Sequence, residues 1–192
     1  MKVEAGLRPG DVLYHAEHGP CLIRRIQSAE GLPGGGLCYH LVPQAKSANG
    51  SHFFVPVDST EESGFHLPYS IAEGNKILAY LKKARNAPSA SSSEKGRLIS
   101  ELVRENTLWS FARLLVIYSR EEQGMRAQGK YRVVVRAARG LIRELAYIFD
   151  VSAKSAAAKI YKNLKKGRKP NGWVLEALNH ISDEESGWPA AS

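Results

Sequence analysis

From Leu7 to Pro56 the apolar residues come in short runs separated by turn formers. Val12-Leu13-Tyr14 follows Pro9-Gly10-Asp11, and Cys21-Leu22-Ile23 with Ile26 follows Gly19-Pro20. Leu37 to Val42 follows the loop Leu32-Pro33-Gly34-Gly35-Gly36, and His52 to Val57 follows Asn49-Gly50. β-formers in runs this short, bounded by Gly, Pro, Asp or Asn, predict strands with local connections. Gly19 frees the backbone for a turn or bulge ahead of the second strand. Ser47 to Gly50 suits a hairpin, because Asn-Gly accepts positive φ twice. Phe53 and Phe54 face opposite sides of their strand, so at most one is core. Four or five such strands predict a small, partly open barrel of SH3-like or Tudor-like form.

After a linker from Ser59 to Pro68 the apolar period becomes helical. Ser70 with Glu73 is a capping-box signature for a helix carrying Ile71, Ile77, Leu78 and Leu81 toward Arg85. Pro88 and the serines up to Ser93 break the chain. Ser92 or Ser93 caps a helix through Leu98, Ile99, Leu102 and Val103. Asn106-Thr107 caps the next, with Leu108, Phe111, Leu115 and Tyr118 on one face, Trp109 beside it, and Gly124 closing it. The longest helix is expected over Lys130 to Phe149, burying Val134, Ala138, Leu141, Leu145 and Ile148. Ser152 caps Ala153 to about Lys165, which Gly167 and Pro170 break, and Val174 to Ile181 is a last short helix. The chain is therefore expected to be α+β: a Tudor/SH3-like β-barrel over residues 1–68, a compact all-α domain over 69–182, and a frayed tail over 183–192.

The composition, 43% hydrophobic and 24% charged over 192 residues, is that of a globular chain. No apolar run approaches a membrane span and none follows Met1, so cytoplasmic localisation is expected, with no membrane partner. Two cysteines make no disulfide framework. The net charge of +8 is unevenly placed. Residues up to Asn86 hold 9 basic and 8 acidic side chains, and the remainder hold 18 and 11, so the helical part carries almost all of the excess. Such asymmetry points to a polyanion, nucleic acid first, as its partner.

The charge also has a pattern. Arg132, Arg136, Arg139 and Arg143 recur at i, i+4, i+7 and i+11, placing four guanidinium groups on one face opposite the apolar one. At 1.5 Å per residue the stripe spans about 16 Å and can follow a phosphate backbone. Only Glu144 and Glu122 are near enough in sequence to neutralise it. A second cluster comprises Lys154, Lys159, Lys162, Lys165, Lys166, Arg168 and Lys169, with Lys162 and Lys166 on one face. Either group could instead be a solvated helix surface. Cys21, Cys38, His40 and His52 lack the paired spacing of a zinc site, so no metal and no cofactor is expected, and the cysteines read as small buried hydrophobes. His15-Ala16-Glu17-His18 lies in a turn and reads as structural. No Gly-x-Ser-x-Gly, phosphate-binding loop or His-Glu-x-x-His is present, so no enzyme is expected.

Pro9-Gly10-Asp11-Val12-x-Tyr14-x-x-x-His18-Gly19, followed by Leu22-Ile23, Ile26, Val55-Pro56-Val57-Asp58 and Gly64, resembles the RNA-polymerase-interacting domain of the CarD/CdnL family. Transcription-repair coupling factors carry a similar module. The resemblance continues through Phe111-Ala-Arg-Leu-Leu, Gly124-Met125 and Glu144-Leu145-Ala146 into a family-like helical domain, over roughly residues 7 to 160. It implies a monomeric bacterial transcription regulator that docks its barrel on the RNA polymerase β subunit by edge-strand pairing and lays its helical domain on promoter DNA. The open promoter complex would be modulated, and in this reading stabilised, by that bridge. The implied polymerase contacts are Arg25, Gln27, Phe53, Phe54 and Val55. The implied DNA contacts are Lys95, Arg97, Arg132, Arg136, Arg139, Arg143, Lys162 and Lys166. The chain departs from the family at Phe54, which fills a slot where the family often has a basic residue, and at three further places. His66 stands for a family Arg, Ser91 to Ser93 occupy the slot of a minor-groove wedge tryptophan, and Arg126 or Ala127 replaces the capping serine of the long helix, so that helix should start late or be capped otherwise. Without the wedge, an alternative is an RNA-polymerase-binding adaptor whose helical domain binds another protein. A small metalloprotein or hydrolase is a third class.

Overall fold

The computed structural model describes residues 6–28, 36–44, 51–83, 92–120, 128–167 and 170–184. The chain divides into two compact units, Met1–Tyr69 and Ser70–Ser192. No helix among the described residues is long and apolar enough to cross a membrane.

The first unit is a five-stranded antiparallel sheet built from β1 (Val12–His15), β2 (Gly19–Ser28), β3 (Leu37–Pro43), β4 (Phe53–Pro56) and β5 (Phe65–His66), in the order β4-β3-β2-β1-β5. The sheet curls into a half-barrel, and β4 and β5 are its two edges. The Pro9-Gly10 turn is tied down on both sides: the Gly10 N–H donates to the Ile23 carbonyl and the Ile23 N–H to the Asp11 carbonyl, each at 2.8 Å. Gly19 pairs with His15 at φ 71, a left-handed conformation that a side chain would strain. The core face holds Leu13, Cys21, Ile23, Tyr39, Leu41, Val55 and Phe65, with Phe53 and Ile26 packed around them.

Two sequence expectations change here. The fourth strand ends at Pro56 and gives way to a one-turn 3-10 helix, Val57–Ser59, and the stretch expected as a linker contains the fifth strand. Gly19 serves the expected turn, and the bulge lies at Arg24, where the β2–β3 register slips between Ile23 and Arg25. The hairpin expected at Ser47 to Gly50, and the loop at Leu32 to Gly35, lie outside the described residues.

The second unit comprises α1 (Ile71–Lys83), α2 (Ser92–Glu105), α3 (Leu108–Ser119), α4 (Gln128–Phe149), α5 (Ala153–Gly167) and α6 (Gly172–Glu184). The 22-residue α4 is the hub, packing against α1, α3, α5 and α6. Its five expected core residues are buried, four of them completely. Helix starts follow side-chain acceptors. The Glu73 N–H donates to Ser70 Oγ, Thr107 and Ser110 form a reciprocal capping box, and the Ser155 N–H donates to Ser152 Oγ. Asp150, at φ 50, ends α4 with the Val151 N–H returning to the Ala146 carbonyl at 3.0 Å, a Schellman-type closure without glycine. Gly140 makes the α3–α4 contact close, because a Cβ there would lie 2.2 Å from the Phe111 ring.

The helical expectations need four corrections. Ile71 is 61% exposed, so the buried side of α1 is Gly74, Ile77 and Leu81. α3 ends at Ser119 with Arg120 as C-cap, well before Gly124, which lies outside the described residues. α4 starts at Gln128, before rather than after Lys130. The last helix is longer than Val174 to Ile181 because Asn171 starts it: Asn171 Oδ1 accepts from the Val174 N–H at 3.1 Å, and its Nδ2 donates to the Tyr118 carbonyl at 2.7 Å. Asp183 and Glu184, expected in a frayed tail, close that helix.

Candidate nucleic-acid and partner interfaces

The α4 arginine stripe forms as a stripe, but its members meet different surroundings. Arg132 is exposed. Arg136 is also exposed and donates to Asn106 Oδ1, at the junction of α2 and α3, at 3.0 Å. Arg139 is half-exposed and donates to Glu184 Oε2 at 2.8 Å, while His180 Nε2 lies 3.2 Å from the other oxygen of that carboxylate. Arg143 is half-buried and its charge also acts on Glu184. The hydrogen bond from Arg139, assisted by His180 and Arg143, holds the Glu184 carboxyl below its ordinary range. Glu144 is buried, and desolvation drives its carboxyl strongly toward the neutral form. The stripe is thus exposed at Arg132 and Arg136 and countered at its inner half by a residue 45 positions away from Arg139 in sequence.

α5 presents its cations without that restraint. Lys154, Lys159, Lys162, Lys165 and Lys166 are all exposed, and among the described residues none of them pairs with a carboxylate. Lys159 Nζ sits 5.7 Å from the centre of the Phe149 ring. Lys159, Lys162 and Lys166 fall at i, i+3 and i+7, one side of the helix. Arg168 and Lys169 lie outside the described residues. On α2, Lys95 is half-buried and Arg97 is exposed with Glu101 at 3.6 Å, a solvated pair of little energetic consequence. Trp109 is a packing residue: its indole meets the Tyr80 ring edge-on at 5.8 Å.

The sheet unit brings together part of the expected partner surface. Arg25, His40 and Phe54 are cross-strand neighbours on the face opposite the core, with Gln27, Cys38 and Pro56 in the adjoining row. Phe54 is 48% exposed and stacks on His40 at 4.8 Å. His40 Nε2 and His52 Nδ1 share a hydrogen bond at 2.7 Å. Burial, then the charges of Arg25, His52 and Arg24, lower the His40 pKa, favouring the neutral ring. Phe53 and Val55 point the other way, into the core, so only their backbone is available along the β4 edge. The sequence points to His40 only as a metal-ligand candidate, not as a member of this surface. Its alternation with buried Tyr39 and Leu41 carried the signal, but the pairing with Arg25 depends on the bulge.

The turn histidines have a structural role. His15 Nδ1 accepts from the backbone N–H groups of Glu17 and His18 at 3.2 and 3.3 Å, and its ring stacks on His18 at 4.6 Å and meets Phe65 at 4.8 Å. Burial, reinforced by His18, lowers its pKa to about 4. Cys21 lies on the core face and Cys38 on the opposite one, both buried and unbridged, and burial pushes the Cys21 thiol up to about 12. Among the described residues no three His, Cys, Asp or Glu side chains gather where they could hold a metal ion.

No protein-family model matches the chain, and no curated protein matches it.

Proposed function

We propose that the chain is a two-handed adaptor of bacterial transcription, its sheet unit docking on the RNA polymerase β subunit and its helical unit lying on promoter DNA. The observation that carries the nucleic-acid half is the row of exposed α5 lysines with no carboxylate partner among the described residues, joined by Arg132 and Arg136 on α4. Exposed cations in rows bind phosphates by releasing counterions, and need no deep pocket to do so. The polymerase half rests on the sequence resemblance and is supported by an edge strand bearing an exposed aromatic. The β4 backbone offers ladder hydrogen bonds, and Phe54 with Arg25 and His40 offers side-chain selectivity beside it. Neither hand requires high affinity, because joining them raises the effective concentration of the second contact. In this reading the protein stabilises the open complex by bridging enzyme and upstream DNA, has no catalytic chemistry, and works in the cytoplasm without cofactor.

A second reading gives the helical unit a protein partner instead of DNA. It is favoured by exposed Ser93 at the start of α2, where the resembled family has its wedge, and by the carboxylate on Arg139. One experiment separates the readings. Co-purification of polymerase and binding of a promoter fragment are measured for the wild type, F54S and K162E/K166E. Selective loss of polymerase in F54S and of DNA in K162E/K166E is expected. Polymerase capture with no DNA binding by any form would favour the protein-partner reading, and failure of both would remove the transcription role.

A further inference from the structure

We propose that the junction of α4 and α6 is a phosphate subsite which Glu184 fills in cis, and that a nucleic-acid phosphate takes over its donors when the helical unit binds a duplex. The inference rests on the nucleic-acid reading above and adds a regulated contact to it. Basic side chains converge on one carboxylate: Arg139 Nη2 donates to one oxygen at 2.8 Å and His180 Nε2 lies 3.2 Å from the other, with Arg143 one turn along α4 adding its charge. The Arg139 guanidinium that donates to a carboxylate oxygen can donate to a phosphate oxygen in the same way, with the His180 ring beside it.

Three features make Glu184 replaceable rather than structural. It is the last residue of α6. Both members of the Arg139–Glu184 pair are about two-fifths exposed, and solvated pairs of that kind exchange readily. Arg132 and Arg136 lie on the same face of α4, so a phosphate backbone entering at the exposed end meets further cations before it reaches Arg139. Beside the junction, an open depression of about 620 Å³ is lined by Tyr131, Leu175, Glu176, Asn179 and His180. Glu176 there accepts from Tyr131 at 3.1 Å, so α6 carries an acidic residue away from the arginine stripe as well as Glu184 on it.

The test measures fluorescence-anisotropy binding of a labelled duplex of about 20 base pairs against salt concentration. It compares the wild type, Glu184→Gln, Glu176→Gln and Glu184→Gln/Arg139→Gln. Freeing the subsite should tighten binding roughly three- to tenfold and steepen the log–log salt dependence by about 0.9, the increment for one more neutralised phosphate. Glu176→Gln makes the same charge change on the same helix without freeing Arg139, and should alter affinity by no more than about twofold. Adding Arg139→Gln should abolish the gain. Equal gains in the two Gln variants, or no gain in Glu184→Gln, would overturn the subsite while leaving duplex binding intact. Salt-insensitive or absent duplex binding by every form would instead overturn the nucleic-acid reading on which the subsite depends.

Discussion

Gly140→Ala and Gly96→Ala should change the stability of the helical unit in opposite directions. In an open helix interior, replacing glycine by alanine is stabilising by about 1 kcal/mol, because glycine loses more backbone freedom on folding. Gly96 on α2 is such a place: it is exposed and a Cβ there meets nothing within 4 Å. At Gly140 the added Cβ would lie 2.2, 2.6 and 2.7 Å from three atoms of the Phe111 ring. Ordinary contact is about 3.5–4.0 Å, so the ring would have to retreat by more than about 1 Å. Phe111 is 2% exposed at the α3–α4 contact and has little room to move. Overpacking of this kind costs about 1–3 kcal/mol, and severe cases cost more, so after the propensity gain the net loss should be about 1–2 kcal/mol.

All three tryptophans lie in the helical unit, so tryptophan fluorescence during urea unfolding reports on it selectively. With a denaturant slope of about 2 kcal/mol per molar, the midpoint should fall by roughly 0.5–1 M for Gly140→Ala and rise by somewhat less for Gly96→Ala. Phe111→Leu in the Gly140→Ala background should cost less than the sum of the two single changes, because a smaller side chain relieves the overlap. A midpoint raised by Gly140→Ala as it is by Gly96→Ala would refute the close-contact argument.

Other consequences can be measured directly. His15 is held neutral in the folded sheet, its pKa lowered from 6.5 to about 4, so protons bind the unfolded chain more readily between those values. The stability of the sheet unit should therefore be full above about pH 6.5 and fall as pH drops toward 4. The upper bound is about 3 kcal/mol, reduced toward 1–2 by the partial exposure of the ring. Hydrogen exchange of β1 and β2 amides across that range should show the decline, and His15→Gln should flatten it. Asn171→Ala removes both the cap of α6 and the bond to the Tyr118 carbonyl, and should destabilise the helical unit by about 1–2 kcal/mol in the same urea assay. Trp109→Phe keeps an aromatic ring against Tyr80. It should shift the urea midpoint little and leave duplex affinity unchanged, since the indole packs α3 against α1 rather than facing a base step.

What the sequence made legible was what local periodicity encodes. Val134, Ala138, Leu141, Leu145 and Ile148 are buried because a single amphipathic helix specifies its own inward face. The capping serines and threonine were legible for the same reason, and Asn171 could have been, as an Asn ahead of an apolar helix. The sheet was harder. Strict alternation from buried Ile23 aims Arg25 at the core, and only the extra residue at Arg24 turns it outward beside His40 and Phe54. Phe53 and Val55, offered as partner contacts, alternate with Phe54, so parity put them on the face opposite to it, and the folded sheet makes that face the core. β5 is two residues long and carries no periodic signal. The Arg139–Glu184 pair was illegible in principle, because it joins distant positions through the packing of α6 on α4.

The central claim is that the helical unit grips a polyanion through cations exposed on α4 and α5. Salt titration of duplex affinity for the wild type and for R132E/K162E/K166E tests it most directly. The account predicts affinity that falls steeply with salt in the wild type. In the variant it predicts weaker affinity and a log–log slope shallower by about 0.9 for each phosphate that is no longer neutralised. Duplex binding with the same slope in both proteins, or none at low salt in either, would contradict it.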